Sequence, residues 1–75
     1  EALNLDPFNK KLNSIIFSNR ALCYMKTGDK NKALQDLNNS LELNPNYMKS
    51  LVRRAEIHME KENFTEAIQD YVKIQ

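Results

Sequence analysis

From Lys10 onward, apolar residues return every three or four positions. Leu12, Ile16, Phe17, Ala21, Cys23 and Tyr24 follow helical spacing, which predicts a helix over residues 10–26. Thr27-Gly28-Asp29 then breaks the pattern. Gly28 suits the left-handed position after a helix, and Asp29 suits the cap of the next one. A second helix is expected over residues 30–43, burying Ala33, Leu34, Leu37, Leu41 and Leu43. Asn44-Pro45 is read as a cap and first-turn proline for a third helix running to about Glu60. Asn63, with Glu66 three residues later, is read as the cap of a last helix, Phe64 to Ile74. The expected fold is all-α: tandem antiparallel helical hairpins.

The pattern also repeats. A shift of thirty-four residues lays Arg20-Ala21 on Arg54-Ala55, Met25 on Met59, Ala33 on Ala67 and Gln35-Asp36 on Gln69-Asp70. Phe17, Cys23, Leu34 and Leu37 meet Leu51, Ile57, Ile68 and Tyr71. "ALNLDP" at Ala2–Pro7 resembles "SLELNP" at Ser40–Pro45, but at an offset of thirty-eight. Four extra residues therefore fall within Phe8 to Asn13. The chain divides into the tail of one unit (1–7), a connector or extended helix start (8–13), a complete unit (14–47) and a nearly complete one (48–75). Alanine recurs where the helices of each hairpin approach closely, because a larger residue there would cost about 1–3 kcal/mol in overpacking. Arg20 and Arg54 each have an aspartate sixteen residues later, Asp36 and Asp70, so an ion pair repeated in each hairpin is expected.

Composition narrows the function. With one Gly and two Pro in 75 residues, long helices are the natural reading. The single Cys allows no internal disulfide and fits a reducing compartment, so a cytoplasmic location is expected. A formal net charge of +1 gives no bulk attraction to nucleic acid or to a membrane surface, and neither is expected as a partner. Apolar runs are too short to span a bilayer. The chain opens at Glu1 without a basic start and apolar core, so no signal peptide is expected. No phosphate loop, zinc spacing or catalytic triad stands out, so no enzyme, cofactor or metal is expected.

A period of thirty-four with two helices per unit, Gly between them, Ala at close contacts and Pro at the end resembles the tetratricopeptide repeat. Residues 14–47 carry its hallmarks in Phe17, Ala21, Tyr24, Gly28, Ala33, Leu37 and Pro45. The last unit departs at His58, in place of an aromatic, and at Glu62, in place of Gly, but keeps Ala55, Phe64, Ala67 and Tyr71. The resemblance implies an α-α solenoid, part of a right-handed superhelix. Arrays of this kind need neighbouring units to cover their faces. Ala2, Leu3 and Leu5, and the far side of the last helix, are therefore expected to be open, with self-association through these truncated faces.

Asn19-Arg20-Ala21, with Lys49 and Arg53 in "MKSLVRRA", is similar to the carboxylate clamp of heat-shock co-chaperones. The four-residue insertion before the middle unit resembles J-domain co-chaperones with multiple repeats, although no J-domain "HPD" is present here. The resemblance implies a partner: the C-terminal peptide of seventy- or ninety-kilodalton heat-shock chaperones, ending in Glu-Glu-Val-Asp. It implies peptide-carboxylate binding by Asn19, Lys49 and Arg53, with Leu22 and Lys26 as auxiliary groove residues. In the family the preceding repeat adds a Lys and an Asn, so this chain holds about three of five clamp residues.

The residue types suit that task. Asn19 and Arg53 are one repeat apart, and Lys49 lies one helical turn before Arg53. Arg can fork onto a carboxylate, Lys acts as a point charge and Asn orients. Two other readings stand beside the clamp. The repeats could be a structural scaffold segment, or could bind an internal peptide or protein surface, with Lys49 and Arg53 as solvated charges partnered by Glu56 or Glu60. RNA binding is a remote third. Cys23, Phe17, Tyr24, Phe64 and Tyr71 read as core, and His58 as packing.

Overall fold

The computed structural model describes residues 5–74. Among them are four helices: α1 (Lys10–Lys26), α2 (Lys30–Leu43), α3 (Met48–Glu60) and α4 (Phe64–Ile74). Helices α1 and α2 form one hairpin, α3 and α4 a second, and α2 packs against α3 to join them. The expected all-α tandem of hairpins is the observed fold. Ala2 and Leu3 lie outside the described residues.

Both hairpins turn in the same way. At the end of α1, Gly28 N–H donates to the Met25 carbonyl (3.2 Å) and Asp29 N–H to that of Tyr24 (2.8 Å). At the end of α3, Glu62 N–H donates to Met59 (3.1 Å) and Asn63 N–H to His58 (2.7 Å). This paired closure satisfies the last helical carbonyls and needs a left-handed residue. Gly28 supplies it at φ 84°, and Glu62 is held there at φ 63°. A side chain in that region costs about 1–2 kcal/mol, partly offset by the flexibility glycine adds to the unfolded chain. Glu62→Gly is therefore expected to stabilise the protein by about 0.5–1 kcal/mol, read as a higher urea midpoint. A Cβ at Gly28 would meet nothing within 4 Å, so Gly28→Ala should lose stability through backbone strain alone.

The units also join by matching turns. Asn9 N–H donates to the Asp6 carbonyl (3.2 Å), and thirty-eight residues on, Tyr47 N–H donates to that of Asn44 (3.1 Å). Pro45 therefore belongs to a turn, not to the first turn of α3. Asn44 closes α2, and Tyr47 precedes α3 without a side-chain cap bond. The proline follows Asn44, whose extended backbone ends one helix before the next can begin. Asn9, by contrast, caps α1 by accepting from Leu12 N–H at 2.9 Å. The four extra residues lengthen α1 by one turn, to 17 residues against 13 in α3. Asn63 precedes α4 and its carbonyl accepts from Ala67 N–H at 3.1 Å, but its side-chain amide lies 3.4 Å from His58 Nδ1, and among the described residues the expected capping box with Glu66 does not form.

Ala21, Ala33, Ala55 and Ala67 are fully buried, as close helix approach requires. Around them pack Leu37, Leu51 and Ile57, with Tyr24, Met25 and Leu34 partly covering the centre. Several expected core residues are open instead. Cys23 is exposed, although its repeat equivalent Ile57 is fully buried. Ile57 joins the core formed by the preceding hairpin, whereas no described helix lies before α1 to cover Cys23. Phe64 (52 %) and Tyr71 (42 %) are exposed on α4 for the corresponding reason at the other end. Leu12 and Ile68 are also exposed, and Phe17, Leu34 and Leu43 are only half-buried, whereas Leu5 is open as expected.

The Cα trace spans 34 × 28 × 13 Å, and so thin a slab buries few large apolar side chains. Buried polar groups hold much of what remains. Arg20 forks onto Asp36 at 2.7 and 2.8 Å, and Arg54 onto Asp70 at 2.8 and 2.7 Å. The repeated ion pair is thus present, and both carboxylates are buried. Ser14, Ser40 and Ser50 form a hydroxyl relay across α1, α2 and α3, with oxygens 2.7 and 2.6 Å apart.

Candidate functional site

Helix α3 presents residues at a spacing of three and four toward α1. Met48, Lys49, Val52, Arg53 and Glu56 line a shallow cleft of about 320 Å³, with Leu22 of α1 opposite. The hairpin turns and the alanine contacts position both helices. Its walls are apolar, and its charges come from one face of α3.

Arg53 is anchored across the repeat boundary. Its Nη1 donates to the Ser18 carbonyl at 2.9 Å and to Ser18 Oγ at 2.7 Å. Ser18 is fully buried, so this bond sets the direction of the guanidinium. Arginine carries five N–H donors, and among the described residues no hydrogen bond engages Nε or Nη2. Lys49 is exposed and makes no ion pair among the described residues. Neither Lys49 nor Arg53 is partnered by Glu56 or Glu60 there; Glu60 instead pairs with Lys30 at 3.1 Å.

Asn19 is exposed on α1, next in sequence to the Ser18 that Arg53 grips. Leu22 and Lys26 follow it at helical spacing on the same face. Of the five residues singled out in the sequence, Leu22, Lys49 and Arg53 line the cleft. Asn19 stands beside its anchor, and Lys26 is exposed at the end of α1. Met48, Val52 and Glu56 were not anticipated, although each lies three or four residues from Lys49 or Arg53 on the same helix, or beside Lys49.

Two other hollows are less suited to a ligand. One of about 430 Å³ contains Asn38, Glu42, Arg54 and Lys73, but Arg54 is committed to Asp70 and to Asn38 (2.8 Å). Another, of about 310 Å³, is formed by Arg20, Cys23, Tyr24 and Thr27, with Arg20 committed to Asp36. Among the described residues no group of three His, Cys, Asp or Glu side chains is placed to hold a metal ion. No described helix is long and apolar enough to cross a membrane.

Known proteins resemble this sequence. The chain is 37% identical over 75 residues, all of its length, to the DnaJ homolog subfamily C member 7 homolog of Dictyostelium discoideum. It is 38% identical over 74 residues, 99% of its length, to DnaJ homolog subfamily C member 7 of Mus musculus. It is 47% identical over 58 residues, 77% of its length, to Sperm-associated antigen 1 of Homo sapiens. It spans only 14%, 15% and 6% of those relatives. A family model described as SHNi-TPR matches residues 53–73, and the tetratricopeptide repeat model matches residues 14–47. The second match begins and ends where the complete internal repeat does, and the chain carries tetratricopeptide repeats.

Proposed function

We propose that the chain is a protein-interaction module of a molecular co-chaperone that receives the acidic C-terminal tail of a seventy- or ninety-kilodalton heat-shock chaperone. The observation that carries this reading is the meeting of Lys49, Arg53 and Leu22 in one cleft, with Arg53 pre-oriented by Ser18. The likeness to DnaJ homolog subfamily C member 7 supports the same class of partner. A chain ending in aspartate brings two carboxylates close together. Lys49 and the free edge of Arg53 would take them, Asn19 would orient the end, and Leu22 would meet an apolar side chain. Pre-orientation limits the entropy lost on binding. A few charge-assisted bonds of about 1.5–3 kcal/mol each, less the ordering of a flexible tail, correspond to an affinity of about 1 μM.

The test is fluorescence anisotropy of a labelled Met-Glu-Glu-Val-Asp peptide with a free or an amidated C-terminus. Lys49→Ala should weaken binding of the free form about tenfold, one lost charged hydrogen bond, without disturbing the fold. Amidation should weaken it at least as much. Equal affinity for both peptide ends would exclude the clamp and favour a scaffold segment or a groove for internal peptide.

A further inference from the structure

We propose that Glu56 makes this cleft two-signed and selects against an acidic side chain just before the bound carboxyl end; this rests on the reading of Lys49 and Arg53 as carboxylate-binding residues. Glu56 lines the same cleft as those two cations and is exposed. It makes no ion pair or side-chain hydrogen bond among the described residues. One turn away on α3, Glu60 pairs with Lys30, and Arg53 bonds Ser18 through Nη1 alone. The carboxylate of Glu56 is therefore available to whatever occupies the cleft.

Geometry sets which part of a ligand it meets. Glu56 is about 4.5 Å along the helix axis from Arg53 and about 10 Å from Lys49. An extended peptide advances about 3.4 Å per residue. A ligand whose terminal carboxylate sits at Lys49 and Arg53, and which runs along α3, brings a side chain one to three residues before its end to Glu56. The apolar wall of Leu22, Met48 and Val52 in the same cleft suits an apolar residue beside the bound end. Beside apolar walls a like charge is less screened than on open surface. The ligand chemistry that fits is a free carboxyl end, an apolar residue behind it, and a basic or uncharged side chain opposite Glu56. Among tails with a free carboxyl end, an acidic residue opposite Glu56 binds less tightly than a basic or uncharged one, without preventing binding.

The experiment replaces each glutamate of Met-Glu-Glu-Val-Asp in turn with glutamine and with lysine. Every peptide is titrated with a free C-terminus, and the parent also amidated, against the chain and against Glu56→Gln. One position is expected to bind about threefold tighter as lysine than as glutamate, and that gain is expected to fall below about 1.5-fold in Glu56→Gln. A gain that persists unchanged in Glu56→Gln, or no gain at any position, overturns the role of Glu56 alone, provided amidation still weakens binding at least about tenfold. Indifference to amidation, or no binding by any free-ended peptide, overturns the carboxylate reading and this inference with it.

Discussion

Arg54→Met is expected to cost about 3 kcal/mol, most of the stability a slab of this size can hold. Two of its three guanidinium nitrogens clasp Asp70, whose side chain is only 4% exposed. Methionine keeps much of the packing of the aliphatic stem but strands the carboxylate away from water. Removing one partner of a buried pair leaves an uncompensated charge, and that penalty exceeds what the pair contributes. Arg54 also donates to Asn38 on α2 at 2.8 Å, so the same substitution loosens the joint between the hairpins. The matching change Asp70→Asn leaves Arg54, which is 20% exposed, more access to solvent and should cost about 1–2 kcal/mol. Urea unfolding followed by circular dichroism reads both. Equal, small losses would mean that the pair behaves as an exposed surface bridge.

Ser40→Leu should be comparably damaging, at about 3–5 kcal/mol. Ser40 is fully buried where α1, α2 and α3 meet. Its hydroxyl donates to the Ser14 carbonyl at 2.8 Å and lies 2.6 Å from Ser50 Oγ, while its own carbonyl accepts from Ser14 Oγ at 2.9 Å. Leucine would force the helices apart, at about 1–3 kcal/mol, and would strip a partner from two buried hydroxyls, at about 1 kcal/mol or more each. Ser40→Ala isolates the second effect. It leaves Ser14 bonded to the Ser40 carbonyl and should cost about 1–2 kcal/mol. If leucine proved no worse than alanine, the helices would have room to spare at this crossing, contrary to the buried contacts.

Much of this was legible along the chain because it is local or periodic. Helix ends at Lys26 and Glu60 follow from the backbone conformation that Gly28 and Glu62 adopt, and a repeat of thirty-four returns the same turn. The Arg–Asp pairs were legible because sixteen residues, carried through one hairpin, bring two helix faces together. Misreadings arose where apolar character stood in for burial. Cys23 and Tyr71 follow the helical pattern as faithfully as Ile57 and Leu37, yet only the latter two have a described helix packed over them. A spacing rule identifies the face of a helix but does not identify its neighbour.

The candidate site divides along the same line. Lys49 and Arg53 could be picked out because one helical turn separates them, and Asn19 because one repeat does. That Arg53 would grip Ser18, thirty-five residues away, could not be read from the chain, since serine in a helix carries no signal of its partner. Nor could the enclosure of Glu56 with two cations and three apolar side chains, which depends on how α3 lies against α1. The sequence by itself determined the four helices, the turns within the hairpins and the repeat, because those depend on backbone preferences and period. Only the tertiary structure decided which faces close and which charges remain available, because burial and partnership depend on the packing of α1, α2 and α3 across the repeat boundary.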